Sequence, residues 1–140
     1  MATKAEDKKY YDLWKKFRDN TRKATPIDLN ESVVDKQNRI AKLEKNPEQW
    51  FKYYFPNFYT SEPAPFHIAA TKRILANPEW YEVRSWSREL SKTGRTMMEV
   101  LYLVMTGKKK NILLLSSTYD NAERLLLPYK AILEVNNRII

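Results

Sequence analysis

Apolar positions spaced three and four residues apart dominate the first half of the chain. Between residues 8 and 23, Tyr10, Tyr11, Leu13, Trp14 and Phe17 fall on one side of a helix whose other side is basic. A break at Thr25 and Pro26 follows, and Leu29, Val33, Ile40 and Leu43 then keep rough helical spacing as far as Lys45, with Asp28 or Asn30 as start signals. Asn46, Pro47, Glu48 and Gln49 next combine a cap residue, a proline at the first helical position and a glutamine at the third. They predict a short aromatic helix over Trp50 to Phe55, stopped by Pro56. The three prolines 56, 63 and 65 make residues 56 to 65 a loop.

From there the pattern changes. Phe66 to Ala76 predicts a helix ending at Asn77 and Pro78. Trp80 to Trp86 alternates as a half-buried strand does, Lys92 to Thr106 is a strongly apolar helix, and Asn111 to Ser117 holds four consecutive aliphatic residues. Strand, loop, helix and strand predict a parallel βαβ unit, with Met97, Met98, Leu101, Val104 and Met105 covering the sheet. A last helix starts near Thr118 to Asp120, with Asp120 and Glu123 as a further capping box, and Pro128 kinks it or marks its true start. The organisational boundary is placed near residue 60, between a helical amino-terminal segment or lid (1–60) and an α/β portion (61–140).

Composition removes whole classes of chemistry. The 140 residues include 18 aromatics, no Cys and a single His. A thiol nucleophile, a Cys-type zinc site and a His-rich metal centre are therefore excluded. No apolar leader opens the sequence, and no aliphatic run approaches the length of a membrane span. The net charge of +8 is concentrated at residues 1–25 (net +4) and 84–110 (net +5). Such blocks suit an anionic partner, as they suit a merely solvated surface.

The chemistry converges on the turn that follows the first predicted strand, Ser87, Arg88, Glu89, Leu90, Ser91, Lys92, Thr93. A phosphate-binding loop needs free backbone amides, a Lys for the outer phosphates and a neighbouring hydroxyl for Mg2+. Lys92 and Thr93 fit the last two needs, but Trp86 and Ser91 stand where the usual motif has glycine. Arg88, Lys92 and Arg95 crowd the positive end of a helix dipole, which costs about 0.3–1 kcal/mol per exposed charge unless an anion binds there. A second register through Gly94, Arg95 and Thr96 would put Arg where Lys is expected.

The heptad Ser87–Thr93 resembles the deviant Walker A segment of tailed-phage terminase large subunits, which lacks the first glycine. Ile112 to Ser117 with Thr118 to Leu125 is similar to the second strand and following helix of those motors. Trp50 to Phe58 with Phe66 and His67 looks like the lead-in to their adenine motif, His67 standing where the family offers Gln. The resemblance covers residues 46–140. It implies an α/β P-loop NTPase of the additional-strand type with a parallel sheet, of which this chain is an amino-terminal portion, because no strand ending in Asp-Glu and no nuclease domain follow.

It further implies ATP and Mg2+ as ligands, with Arg88 at the γ-phosphate, Lys92 on the β- and γ-phosphates and Thr93 on Mg2+. Ser87, Glu89, Leu90 and Ser91 would supply the rest of the cradle, and His67 the base contact. The parent protein would be an ATPase and endonuclease acting on double-stranded phage DNA in host cytoplasm. Its partners would be a terminase small subunit, a portal protein and copies of itself in a ring, with no membrane association. The fragment alone would not turn over ATP. A non-catalytic nucleic-acid-binding or assembly module, or another P-loop motor such as a helicase, is the alternative.

Overall fold

In the computed structural model, residues 4–140 are described, with side chains from Lys8 onward. Six helices follow one another: α1 (Lys4–Ala24), α2 (Val33–Glu44), α3 (Pro47–Tyr54), α4 (Pro65–Ala76), α5 (Lys92–Met105) and α6 (Tyr119–Val135). They form two units, one made of residues 33–112 and the other of residues 1–32 with 113–140.

The expected α/β architecture with a parallel sheet is overturned: no strand occurs among the described residues. The segments expected to pair are irregular, and their apolar side chains face solvent, Val83 at 74%, Leu113 at 80% and Leu115 at 79% exposure. Two strands alone cannot hold each other. A parallel pair is the weaker kind of ladder and needs cover on both faces, and a two-stranded sheet is marginal in water.

Helix α5 accordingly packs on another helix. In the unit of residues 33–112, Met97, Met98, Leu101 and Tyr102 of α5 are buried with Trp50, Phe51 and Tyr54 of α3 and with Phe55 just beyond it. The Trp50 and Tyr102 rings meet edge-on, 5.1 Å apart. Such aromatic pairs add about 0.5–1.5 kcal/mol to the burial itself. Tyr102 Oη also donates to the carbonyl of Glu44 at 2.6 Å, which fixes α5 against the end of α2. Helix α3 begins as its sequence dictates, for Asn46 Oδ1 accepts the amide of Gln49 at 3.3 Å and Pro47 occupies the first turn.

In the unit of residues 1–32 and 113–140, α1 lies along α6. Ala131, Ile132, Val135 and Asn136 are buried, as are Thr21 and Thr25. Asn137 donates its amide to Thr25 Oγ1 (3.3 Å) and its side chain to the Arg22 carbonyl (3.1 Å), while Arg18 pairs with Glu134 at 2.7 Å. The cap of α6 is Thr118, whose Oγ1 accepts from the amide of Asn121 at 3.3 Å. Pro128 lies inside the helix. Among the described residues no helix is long and apolar enough to cross a membrane.

Candidate functional site

The candidate loop runs from Trp86 into the first turn of α5. Residues 87 to 93 are all exposed. Two of them, Glu89 (φ 68°) and Ser91 (φ 51°, ψ 27°), take left-handed backbone conformations that glycine adopts most easily. Ser91 is the cap residue of α5, yet no side chain caps the helix and its first turn holds no acidic residue. The first-turn amides of α5 have no intrahelical partner by helix geometry, so this end has donors and positive dipole available to an anion.

Three contacts hold the loop in place. Lys92 Nζ donates to the carbonyl of Trp86 at 2.9 Å, closing the loop across its base. His67, in the first turn of α4, has both ring nitrogens engaged: Nδ1 accepts the amide of Ala64 (3.1 Å), so Nε2 carries the proton and donates to the carbonyl of Leu90 (3.0 Å). The imidazole packs 4.1 Å from the Phe66 ring and 4.9 Å from the Trp86 ring, between centroids. The guanidinium of Arg84 lies 5.0 Å from the Trp86 ring on a further side.

The structure therefore gathers Ser87, Arg88, Glu89, Leu90, Ser91, Lys92, Thr93 and His67 in one place, with His67 as a backbone clip. A base-edge contact by His67 requires it to release Leu90 or Ala64. The cavity behind the loop, lined by Phe58, Tyr59, His67, Ser91 and Arg95, measures about 40 Å³. That is room for a water molecule and far below the several hundred Å³ of a typical ligand pocket. The exposed groups fit phosphates: Arg88 and Lys92 as cations, Thr93 as the hydroxyl that could support a nucleotide-bound Mg2+. Among the described residues no group of three carboxylate or imidazole side chains could hold a metal by itself.

Arg95 turns away from this surface. It is 3% exposed, and its guanidinium grips both carboxylate oxygens of Glu48, Nη1 reaching Oε2 at 2.9 Å, while Nε donates to Thr71 Oγ1 at 3.0 Å. Thr71 Oγ1 in turn hydrogen bonds to Glu99, which is 2% exposed. Glu99 Oε2 lies 2.7 Å from Arg84 Nη1, and that same nitrogen donates to Thr96 at 3.2 Å. A register of the loop through Gly94, Arg95 and Thr96 is thus closed to a ligand, since its arginine is already paired inside.

The network continues to the surface through Glu82. Its carboxylate receives two hydrogen bonds from Arg73 (2.9 and 3.2 Å) and one from Trp80 Nε1 (2.6 Å). The Arg73 hydrogen bonds chiefly hold its pKa below the usual glutamate value, with Trp80 and the charge of Arg84 adding to them. Tyr59, whose hydroxyl reaches Glu48 at 3.4 Å, is pushed up to about 12 by burial and by the negative charge of Glu48.

Sequence reasoning missed this buried network because it counted charged residues as surface. One signal was present. Arg95, Met98, Glu99 and Tyr102 share the i, i+3, i+4, i+7 stripe that α5 buries, so two ionisable groups stood on the apolar face.

Compared with protein-family models, curated proteins and solved structures, the chain matches none.

Proposed function

We propose that the chain binds the phosphates of a nucleoside triphosphate through Arg88–Thr93 and serves as the nucleotide-binding part of an ATP-driven DNA-packaging motor. The observation that carries this reading is Ser91: a residue without glycine's freedom is held left-handed directly before Lys92, at a helix start that no acidic side chain caps. Such a helix start offers its first amides to an anion, and the Lys92 and Thr93 side chains beside them are exposed. Arg88 and Lys92 would stabilise the charge on the outer phosphates and Thr93 would support Mg2+, which when bound neutralises the phosphates further. Lys92 must then exchange the Trp86 carbonyl for phosphate oxygens.

In this reading the motor's track is double-stranded phage DNA in host cytoplasm. Its partners are a terminase small subunit, a portal protein and further copies in a ring. The test is titration of the chain with a fluorescent ATP analogue in the presence and absence of Mg2+. Saturable, Mg2+-dependent binding that Lys92→Ala abolishes is expected, and a wild-type chain that binds no better than Lys92→Ala sinks the proposal.

A second reading, a non-catalytic nucleic-acid-binding module, is favoured by the tie between Lys92 and Trp86 and by the small cavity behind the loop. It predicts DNA binding with no response to ATP and Mg2+.

A further inference from the structure

The outer face of α1 carries cations in pairs that recur every seven residues: Lys8 and Lys9, Lys15 and Lys16, Arg22 and Lys23. All six side chains are exposed. Seven residues are close to two helical turns, so the pairs stack as three rungs about 10.5 Å apart on one side of the rod. Asp12 and Asp19 lie between the rungs on that same side. Even so, among the described residues no ion pair holds any of the six cations. The basic residue off this face, Arg18, behaves otherwise, lying 4.4 Å from the Trp14 ring and pairing with Glu134 at 2.7 Å.

We infer that this face is a binding surface for the phosphate backbone of double-stranded nucleic acid. Its charge is of the right sign, with six cations against two aspartates, and its form is a single continuous helix with rungs at a fixed interval. From first to last the rungs span about 21 Å, the axial length of about six base pairs. A single strand would be recognised through a run of stacking platforms between the cations; beside the rungs stands one exposed ring, Tyr11, between the first and second, while Phe17, between the second and third, is half-buried on the other side. A bilayer surface fits less well. The opposite side of α1, with Trp14 and Phe17 half-buried and Thr21 buried, belongs to the packing along α6 and is not free to enter lipid.

This deepens the packaging-motor reading by naming where the duplex is held, and it stands or falls separately from nucleotide binding. The test is fluorescence anisotropy of a short labelled duplex of random sequence, titrated with the chain over a range of salt. A net of four phosphate contacts gives a log–log slope of about −3.6, which is about 150-fold weaker binding at 200 mM than at 50 mM salt. Lys15→Gln/Lys16→Gln should make the slope shallower by about 1.8. Asp12→Asn/Asp19→Asn should tighten binding, because the aspartates repel the same phosphates.

The matched control Lys108→Gln/Lys109→Gln, which removes equal charge elsewhere, should leave the slope unchanged. Lys92→Ala should lose nucleotide and keep the DNA slope. Circular dichroism of each variant confirms that the helices remain. The inference is overturned if the control weakens DNA binding as much as the α1 variant, if the aspartate variant binds no tighter, or if vesicles of anionic lipid compete the duplex away.

Discussion

Replacing Arg95 by Ala tests the buried network most directly. The guanidinium is 3% exposed and satisfies Glu48 through two hydrogen bonds and Thr71 through its Nε, while Thr71 supports Glu99. Removing it takes one of two cations from the buried Glu99, which keeps Thr71 and Arg84, and leaves Glu48, a quarter of whose side-chain surface is exposed, to water. Breaking one partner out of a buried ion pair costs about 3–5 kcal/mol. Glu48 can recover part of its hydration, which places the expected loss near 3 kcal/mol.

Against a total stability of about 5–15 kcal/mol that is severe. In urea, with a slope of about 1–3 kcal/mol per molar, the midpoint should fall by roughly 1–3 M. Tryptophan fluorescence reports it, since Trp50 is 2% exposed and packs edge-on against Phe51, whose ring lies 4.8 Å from the Arg95 guanidinium. Arg95→Lys keeps the charge but cannot reach Glu48 and Thr71 in one planar fork, so it should lose about half as much. In a double-mutant cycle, Arg95→Ala with Glu48→Ala should show coupling of about 1–3 kcal/mol. A loss below about 1 kcal/mol for Arg95→Ala would refute the reasoning, because a solvated arginine behaves that way.

Three further outcomes are expected. Ser91→Gly should be neutral or stabilising by up to about 1 kcal/mol in thermal melts, because relief of the left-handed conformation is offset by glycine's freedom in the unfolded chain, whereas Ser91→Val should destabilise; equal melting points for the two variants would contradict the φ of 51°. The lowered pKa of Glu82 means that its contribution to stability is present above the unfolded glutamate pKa and is lost as the pH falls through the lower folded value, so Glu82→Gln should flatten the acid side of a stability–pH curve, and an unchanged acid side counts against the Arg73 pair. With Tyr59 pushed up to about 12, the folded chain holds the phenol proton more tightly than the unfolded one; that contribution is full below pH 10 and lost as the pH rises through about 12, and Tyr59→Phe should remove this alkaline dependence in urea melts followed by circular dichroism.

The helices were legible because their signals are local. Asn46 with Pro47 marks the start of α3, and the three-and-four spacing of Tyr10, Leu13, Trp14 and Phe17 marks α1. The strands were misread because Ile112–Leu115 carries only an aliphatic run. Such a run says that the segment is apolar, while whether it pairs depends on partners far away in sequence. Val83 and Leu113 show the result, both being exposed. At Ser87–Thr93 the residue types stood out in the sequence, but the left-handed backbone of Glu89 and Ser91 did not, since neither is a glycine. The roles of His67 and Arg95 were not legible, since each is set by an atom from a segment distant in sequence: the Leu90 carbonyl in the loop before α5 for one and the Glu48 carboxylate of α3 for the other.

The unit built from residues 1–32 and 113–140 has a consequence for biosynthesis. Its two halves are separated by eighty residues that form the other unit, and the hydrogen bonds from Asn137 to Arg22 and Thr25 span 115 and 112 positions. On the ribosome α1 emerges well before α6, with the whole of the other unit made between them. Residues 33–112, being continuous, can collapse as soon as they leave the exit tunnel, whereas α1 must wait with Trp14 and Phe17 uncovered. The wait is long in time and cheap in entropy, because each doubling of an enclosed loop adds only about 0.6 kcal/mol to its closure. The nascent chain's vulnerable interval is therefore the passage from residue 33 to residue 135, when a chaperone would find α1 as its substrate.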